Sequence, residues 1–243
     1  ALCSKGSISF WTPAERSKYR ALLLKVDKRF SHRYQFTSSY ALAERKGVNG
    51  IVNLDNWFQS WGPQGSRHTW GISGIVDLPW KFQVSFISAI GTKGPVMPGI
   101  GGIDLDGDGS SSEPLPGAKH NGFNRGLGKS DLSRLVEQFN QTLAGTRTPR
   151  NQTVPRLTVP ASYEFGDNSY SQDLRVTKTF QFRERYKIAL IGEVFNLFNI
   201  ANLGGYSFGL TSPASFGRPS ARAGQTFGSG GPRAFQLAAR FSF

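Results

Sequence analysis

Three aspartates at alternate positions, Asp104, Asp106 and Asp108, are followed at once by Gly109 and Ser110. Carboxylates spaced in this way can wrap one hard cation, and the glycine lets the chain turn sharply, as in the first half of a D-x-D-x-D-G calcium loop. The second half does not follow. The twelfth position of an EF-hand loop falls on Leu115, and the only acid nearby is Glu113. The oxygen count therefore stops short of the roughly six to eight that Ca2+ prefers. The aspartates read either as a calcium site or as the solvated acidic tip of a loop.

Other reactive side chains do not converge. His32, His68 and His120 are far apart in sequence and lack zinc-ligand spacing. No G-x-S-x-G, Walker or dinucleotide-binding element is present, and the glycines of 99–102 lack a strand-then-helix context. Glu193 shares a strand face with Lys187 and reads as an ion-paired residue rather than a catalytic acid. Cys3 is the only cysteine, which excludes an internal disulfide and a thiolate cluster. The sequence thus predicts no enzyme and no cofactor besides a possible Ca2+.

The elements that must position these residues are strands. The closing stretch 234–243 reads A-F-Q-L-A-A-R-F-S-F. Phe235, Leu237, Ala239, Phe241 and Phe243 fall on one face and Gln236, Ala238, Arg240 and Ser242 on the other, the period of an amphipathic strand. A chain that closes on such a strand with an aromatic end is typical of an outer-membrane β-barrel, whose assembly machinery reads the aromatic residues. Six further stretches alternate in the same way: 17–28, 32–44, 67–78, 80–90, 172–182 and 185–196. Each has the length needed to cross a bilayer at a tilt. Leu23 and Lys178 interrupt the alternation. Tyr19, Tyr34, Trp70, Trp80, Tyr186, Phe241 and Phe243 sit near strand ends, where an interfacial girdle belongs.

The connections alternate between short and long. Residues 29–31, Pro79 and 183–184 make tight turns, whereas 45–66, 91–171 and 197–233 are long. Barrels with short periplasmic turns and long outer loops have this rhythm, and it places the C-terminus in the periplasm. Within 91–171 lies one helical pattern, 130–143, with Leu132, Leu135, Val136, Phe139 and Leu143 on one face. Ser130 or Asp131 can cap it and Gly145 follows. It reads as a lid or partner-contact helix, or as a helix packed on the barrel rim.

Composition agrees. Only 38% of the 243 residues are apolar, and no run is long enough for a transmembrane helix. Alternation halves the apolar content of a barrel strand. The net charge of +13 is scattered along strand faces and turns rather than gathered in one patch, so no nucleic-acid partner is expected. The first residues, A-L-C-S-K-G, have no leader features, so for an outer-membrane protein the chain is expected to be a piece of something longer.

The stretch G-E-V-F-N-L-F-N at 192–199 resembles the penultimate strand of TonB-dependent outer-membrane receptors. The F-G-R-P at 216–219 and the G-S-G-G-P-R-A-F-Q-L-A-A-R-F-S-F at 228–243 resemble the end of their Oar-like branch, and G-I-D-L-D-G-D-G at 102–109 is similar to an acidic stretch of their late outer loops. The resemblance implies a plugged barrel of about 22 strands, with residues 1–243 supplying its C-terminal portion. It further implies energised uptake or surface binding of a large ligand. The implied partners are outer-membrane lipid, the barrel-assembly machinery, TonB through more N-terminal parts, and an extracellular ligand of unknown identity. The expected fold is all-β: an antiparallel up-and-down meander of about seven long strands with one short helix in a long outer loop. A passive porin or adhesion barrel, and a soluble basic all-β binding module, stand as alternatives.

Overall fold

The computed structural model describes residues 15–48, 53, 56–183, 185–222 and 228–243. Cys3 and Glu184 lie outside them. In chain order the elements are β1 (Ser17–Ser31), β2 (Tyr34–Val48), β3 (Trp61–Gln64), β4 (His68–Leu78), β5 (Phe82–Gly91), β6 (Gly99–Gly101), β7 (Ser112–Pro114), α1 (Lys129–Thr142), β8 (Ser169–Phe182), β9 (Tyr186–Phe195), β10 (Leu203–Gly204), β11 (Ala221–Arg222) and β12 (Ala234–Ser242). The seven long strands form one sheet in the order β1-β2-β4-β5-β8-β9-β12. Every pair in it is antiparallel. This is the expected meander, a wall whose edge strands β1 and β12 are not paired with each other among the described residues. The tight turns and the C-terminus lie at one end of the wall, and the long connections leave from the other.

The register sorts the side chains. Tyr34, Val76, Val84, Val176, Gly192 and Leu237 form one row across six strands. One residue along, Gln35, Ile75, Ser85, Arg175, Glu193 and Gln236 form the next row on the opposite face. Because side chains alternate with a period of two, these two rows fix the facing of the whole wall. Phe36, Trp70, Phe82, Val84, Ile188 and Leu237 share the apolar face, while Gln35, Gln83, Thr177, Lys187 and Arg240 share the polar one. Lys81 lies in a turn and donates to Gln181 on the polar face at 3.0 Å. Lys178 does fall on the apolar face. Its ammonium reaches down to the Trp80 carbonyl and lies 4.3 Å from the centre of the Phe82 ring, so the charge leaves the apolar surface along its own alkyl stem.

Several boundaries differ from the sequence expectation. β1 runs on to Ser31, so the first turn is His32-Arg33 rather than residues 29–31. Both turn residues have positive φ, 52° and 71°, as a two-residue hairpin of right-handed twist requires. Glycine or asparagine usually announces such a turn, and neither is present. The second turn is Pro79–Lys81, not Pro79 alone, and Trp80 belongs to it with φ 58° instead of opening β5. β2 extends to Val48 and pairs with β3, so part of 45–66 is hairpin rather than loop. β9 stops at Phe195, before Asn196, and its first paired residue is Tyr186 rather than Arg185. The pairing of β12 ends at Ser242, one residue before Phe243. Tyr19, opposite Arg45, sits on the polar face.

The buried core does not belong to the wall. Among the described residues, every buried hydrophobic except Val48 lies between Val96 and Phe165 or at Leu210 and Phe216. The long connections after β5 and β9 fold together into a crown with its own interior. Leu132, Leu135, Val136 and Phe139 of α1 are buried in that interior, the face that the periodicity marks. Its first turn differs from expectation as well: Gly128 is the N-cap, and Asp131 accepts the Gly128 N–H at 2.9 Å from the third helical position. Gly145 follows with φ 83°. Phe123, Tyr163, Phe165 and Phe216 pack ring to ring at 5.0–5.3 Å. The two connections are stitched by backbone bonds, the Leu210 N–H to Gly99 O at 2.7 Å and the Glu164 N–H to Gly217 O at 3.0 Å.

Candidate functional site

Asparagines fasten the crown to the wall. Asn196 is fully buried with φ 49°. Its side chain donates to the carbonyls of Ile200 (2.9 Å) and Gly231 (2.6 Å), and its N–H donates to Asp173 at 2.8 Å. Asn199 also takes a positive φ, 53°, and accepts the Arg233 N–H at 3.3 Å. Asn202 accepts the Tyr170 N–H at 2.7 Å and donates to Tyr170 O and Gly230 O. Asparagine tolerates the left-handed backbone and offers both a donor and an acceptor. The two asparagines of F-N-L-F-N therefore end β9 and pin the return to β12. At the other side, Arg125 donates to Gly65 O at 2.7 Å and Lys93 O at 3.3 Å, and Asn124 donates to Gly94 O at 2.9 Å and Phe165 O at 2.6 Å.

Within the crown the three aspartates do converge. Asp104 accepts the N–H groups of Gly107 (2.7 Å) and Gly109 (3.0 Å), Asp106 that of Asp108 (3.1 Å), and Asp108 that of Ser110 (2.7 Å). Gly107 and Gly109 have φ 87° and 98°, which lets the chain coil this tightly. Arg150 pairs with Asp104 at 2.7 Å, and Asn53 donates to Asp106 at 2.6 Å. The β6–β7 hairpin sets Glu113 opposite the fully buried Ile100 and turns it into the same space. One carboxylate oxygen from each of Asp104, Asp106, Asp108 and Glu113 lies within 4.8 Å of the others. Glu113 is 5% exposed, and among the described residues its Oε1 has no hydrogen-bond partner. Burial pushes its carboxyl up to about 7; the charges of Asp106, Asp108 and Asp104 add to this, and the Leu105 backbone N–H opposes it. Counting along an EF-hand loop notes Glu113 nearby but gives it no place in the site, because a hairpin rather than a fixed spacing delivers it. Leu115, which occupies the EF-hand position, is buried in the crown core.

The polar face of the wall carries an open trough of about 890 Å³, lined by Thr37, Ser85, Asp173, Arg175 and Glu193 among others. Glu193 pairs with Arg175 at 2.5 Å rather than with Lys187, because those two stand directly opposite on β8 and β9. The histidines are not gathered: His32 is in the first turn, His68 bonds Tyr40 Oη at 2.7 Å, and His120 is in the crown, where burial lowers its pKa. At the turn end, Phe241 stacks on Tyr186 at 6.0 Å and meets Phe243 at 5.8 Å, forming an aromatic corner where β12 stops.

Leu22, Leu24, Val26, Leu190 and Leu237 are all exposed on the apolar face, and among the described residues no second layer of protein covers it. A soluble all-β module would have to cover such a face with a second layer of its own. No curated protein and no solved structure matches the chain. Its residues 3–236 do match the outer membrane beta barrel domain, the architecture that an uncovered apolar face and a polar inner face on one meander require; the chain belongs to that family.

Proposed function

We propose that this chain is the C-terminal wall and extracellular crown of a TonB-dependent, Oar-like receptor that takes up or holds a large ligand at the cell surface. The observation that carries this reading is the crown itself. Two long connections fold into one unit with its own core over the end of the wall from which they leave. Long connections are retained for function or are disordered, and this pair is packed. The asparagine locks add a physical reason for the F-N-L-F-N resemblance. On this reading the apolar face meets outer-membrane lipid, the tight turns and the C-terminus are periplasmic, and the ligand meets the crown before the polar trough. TonB acts through more N-terminal parts of the receptor, and no enzymatic activity is assigned.

Conductance of the intact protein in a planar bilayer separates this from a passive porin or adhesion barrel. A plugged receptor stays closed until denaturant loosens its plug. A steady open channel in plain buffer would sink the receptor reading.

The aromatic corner is assigned to assembly. Phe241 and Phe243 present the end of β12 to the barrel-assembly machinery. Deleting Phe243 should lower the amount of the full-length protein in outer-membrane fractions several-fold while its synthesis is unchanged. Unchanged outer-membrane levels would leave Phe243 with girdle packing alone.

A further inference from the structure

We infer that Asp104, Asp106, Asp108 and Glu113 form a calcium site that locks the β6–β7 hairpin to the coiled acidic loop of the crown. The aspartates alone would be an acidic tip held by its own backbone. Glu113 makes the difference. It comes from a separate strand, is 5% exposed, brings a carboxylate oxygen within 4.8 Å of those of the three aspartates, and among the described residues its Oε1 has no hydrogen-bond partner. A buried carboxylate oxygen without a donor is costly, and a bound cation removes that cost.

The donor set selects the metal. All four side chains offer hard oxygens and none offers nitrogen or sulfur, which disfavours zinc and copper. The four oxygens lie within 4.8 Å of one another, close enough to share one ion at the Ca2+–oxygen distance of about 2.3–2.6 Å. Mg2+ sheds water reluctantly and usually takes only one or two carboxylates, so a cage of four carboxylates suits Ca2+ better. Arg150 already neutralises part of Asp104. The expected affinity is therefore that of an extracellular module, with a dissociation constant on the order of 10⁻⁴ to 10⁻³ M. The bound ion would join residues 104–108 to β7 and so close the open side of the hairpin. This inference does not depend on whether the barrel is coupled to TonB.

The test is calorimetric titration of the purified full-length protein in detergent with CaCl2, and separately with MgCl2, after chelation. Limited proteolysis of the same samples reports on the crown. Wild-type protein should bind one Ca2+ in the crown at least tenfold more tightly than Mg2+, and Ca2+ should slow cleavage within residues 92–168. Glu113→Gln should weaken Ca2+ binding at least tenfold. Asp106→Asn, at an exposed position that leaves the crown core untouched, should weaken it as well. Absence of Ca2+ binding by the wild type would overturn the site, as would undiminished binding by Asp106→Asn. Equal affinity for Mg2+ would overturn its assignment to calcium.

Discussion

Replacing Phe123 with alanine should unfold the crown and leave the wall standing. Phe123 is fully buried, and its ring lies 5.0 Å from that of Phe165. Its backbone also bridges to Val96, where the crown begins. Truncating a buried phenylalanine typically costs about 3–5 kcal/mol through lost transfer energy and the cavity left behind. A unit as small as the crown has little stability to spare, since whole domains rarely exceed about 15 kcal/mol. The variant should become cleavable throughout 92–168 in limited proteolysis. The wall should still migrate as a folded barrel on unheated gels. Loss of the barrel band together with the crown would show that the two fold as one.

Leu237→Arg should cost about 2–4 kcal/mol, the penalty for a basic side chain near the bilayer midplane. Leu237 is 87% exposed and sits midway along β12, in the row with Val84 and Val176. No protein contact accounts for a penalty of that size, so its source is the surrounding lipid. Ala238→Arg, one residue along and opposite Ile191 on the polar face, should stay within about 0.5 kcal/mol. Urea titration of the full-length protein folded into vesicles measures both. Equal penalties at the two positions would mean that the facing of the wall is wrong.

The wall was legible in the sequence because its signal is local. Leu237, Val84 and Ile188 alternate with polar neighbours, and each carries its facing in its position. The turns were less legible. His32-Arg33 and Trp80-Lys81 adopt positive φ without glycine or asparagine, so the residues gave no cue and the strand ends moved by a few positions. The crown was hardest to read. The α1 pattern announced a helix and its buried face, but nothing local announces that Leu210 and Phe216 close over the same interior. Glu113 shows in the sequence as the only acid nearby, but its place in the site does not, for the same reason. Its place beside the aspartates follows from the pairing of β6 with β7, a contact that position counting does not contain.

The separation of the two interiors has a consequence for how such a surface can change over time. Among the described residues the crown keeps its buried hydrophobic residues inside itself, and the wall keeps only Val48. Exposed crown positions can therefore be rewritten without disturbing strand register, and the strands can adapt to a different bilayer without reshaping the crown. On the proposed topology this division permits a new outward face on an unaltered membrane scaffold. The asparagine and arginine clasps at the base of the crown are the few positions where a change on one side would have to be answered on the other.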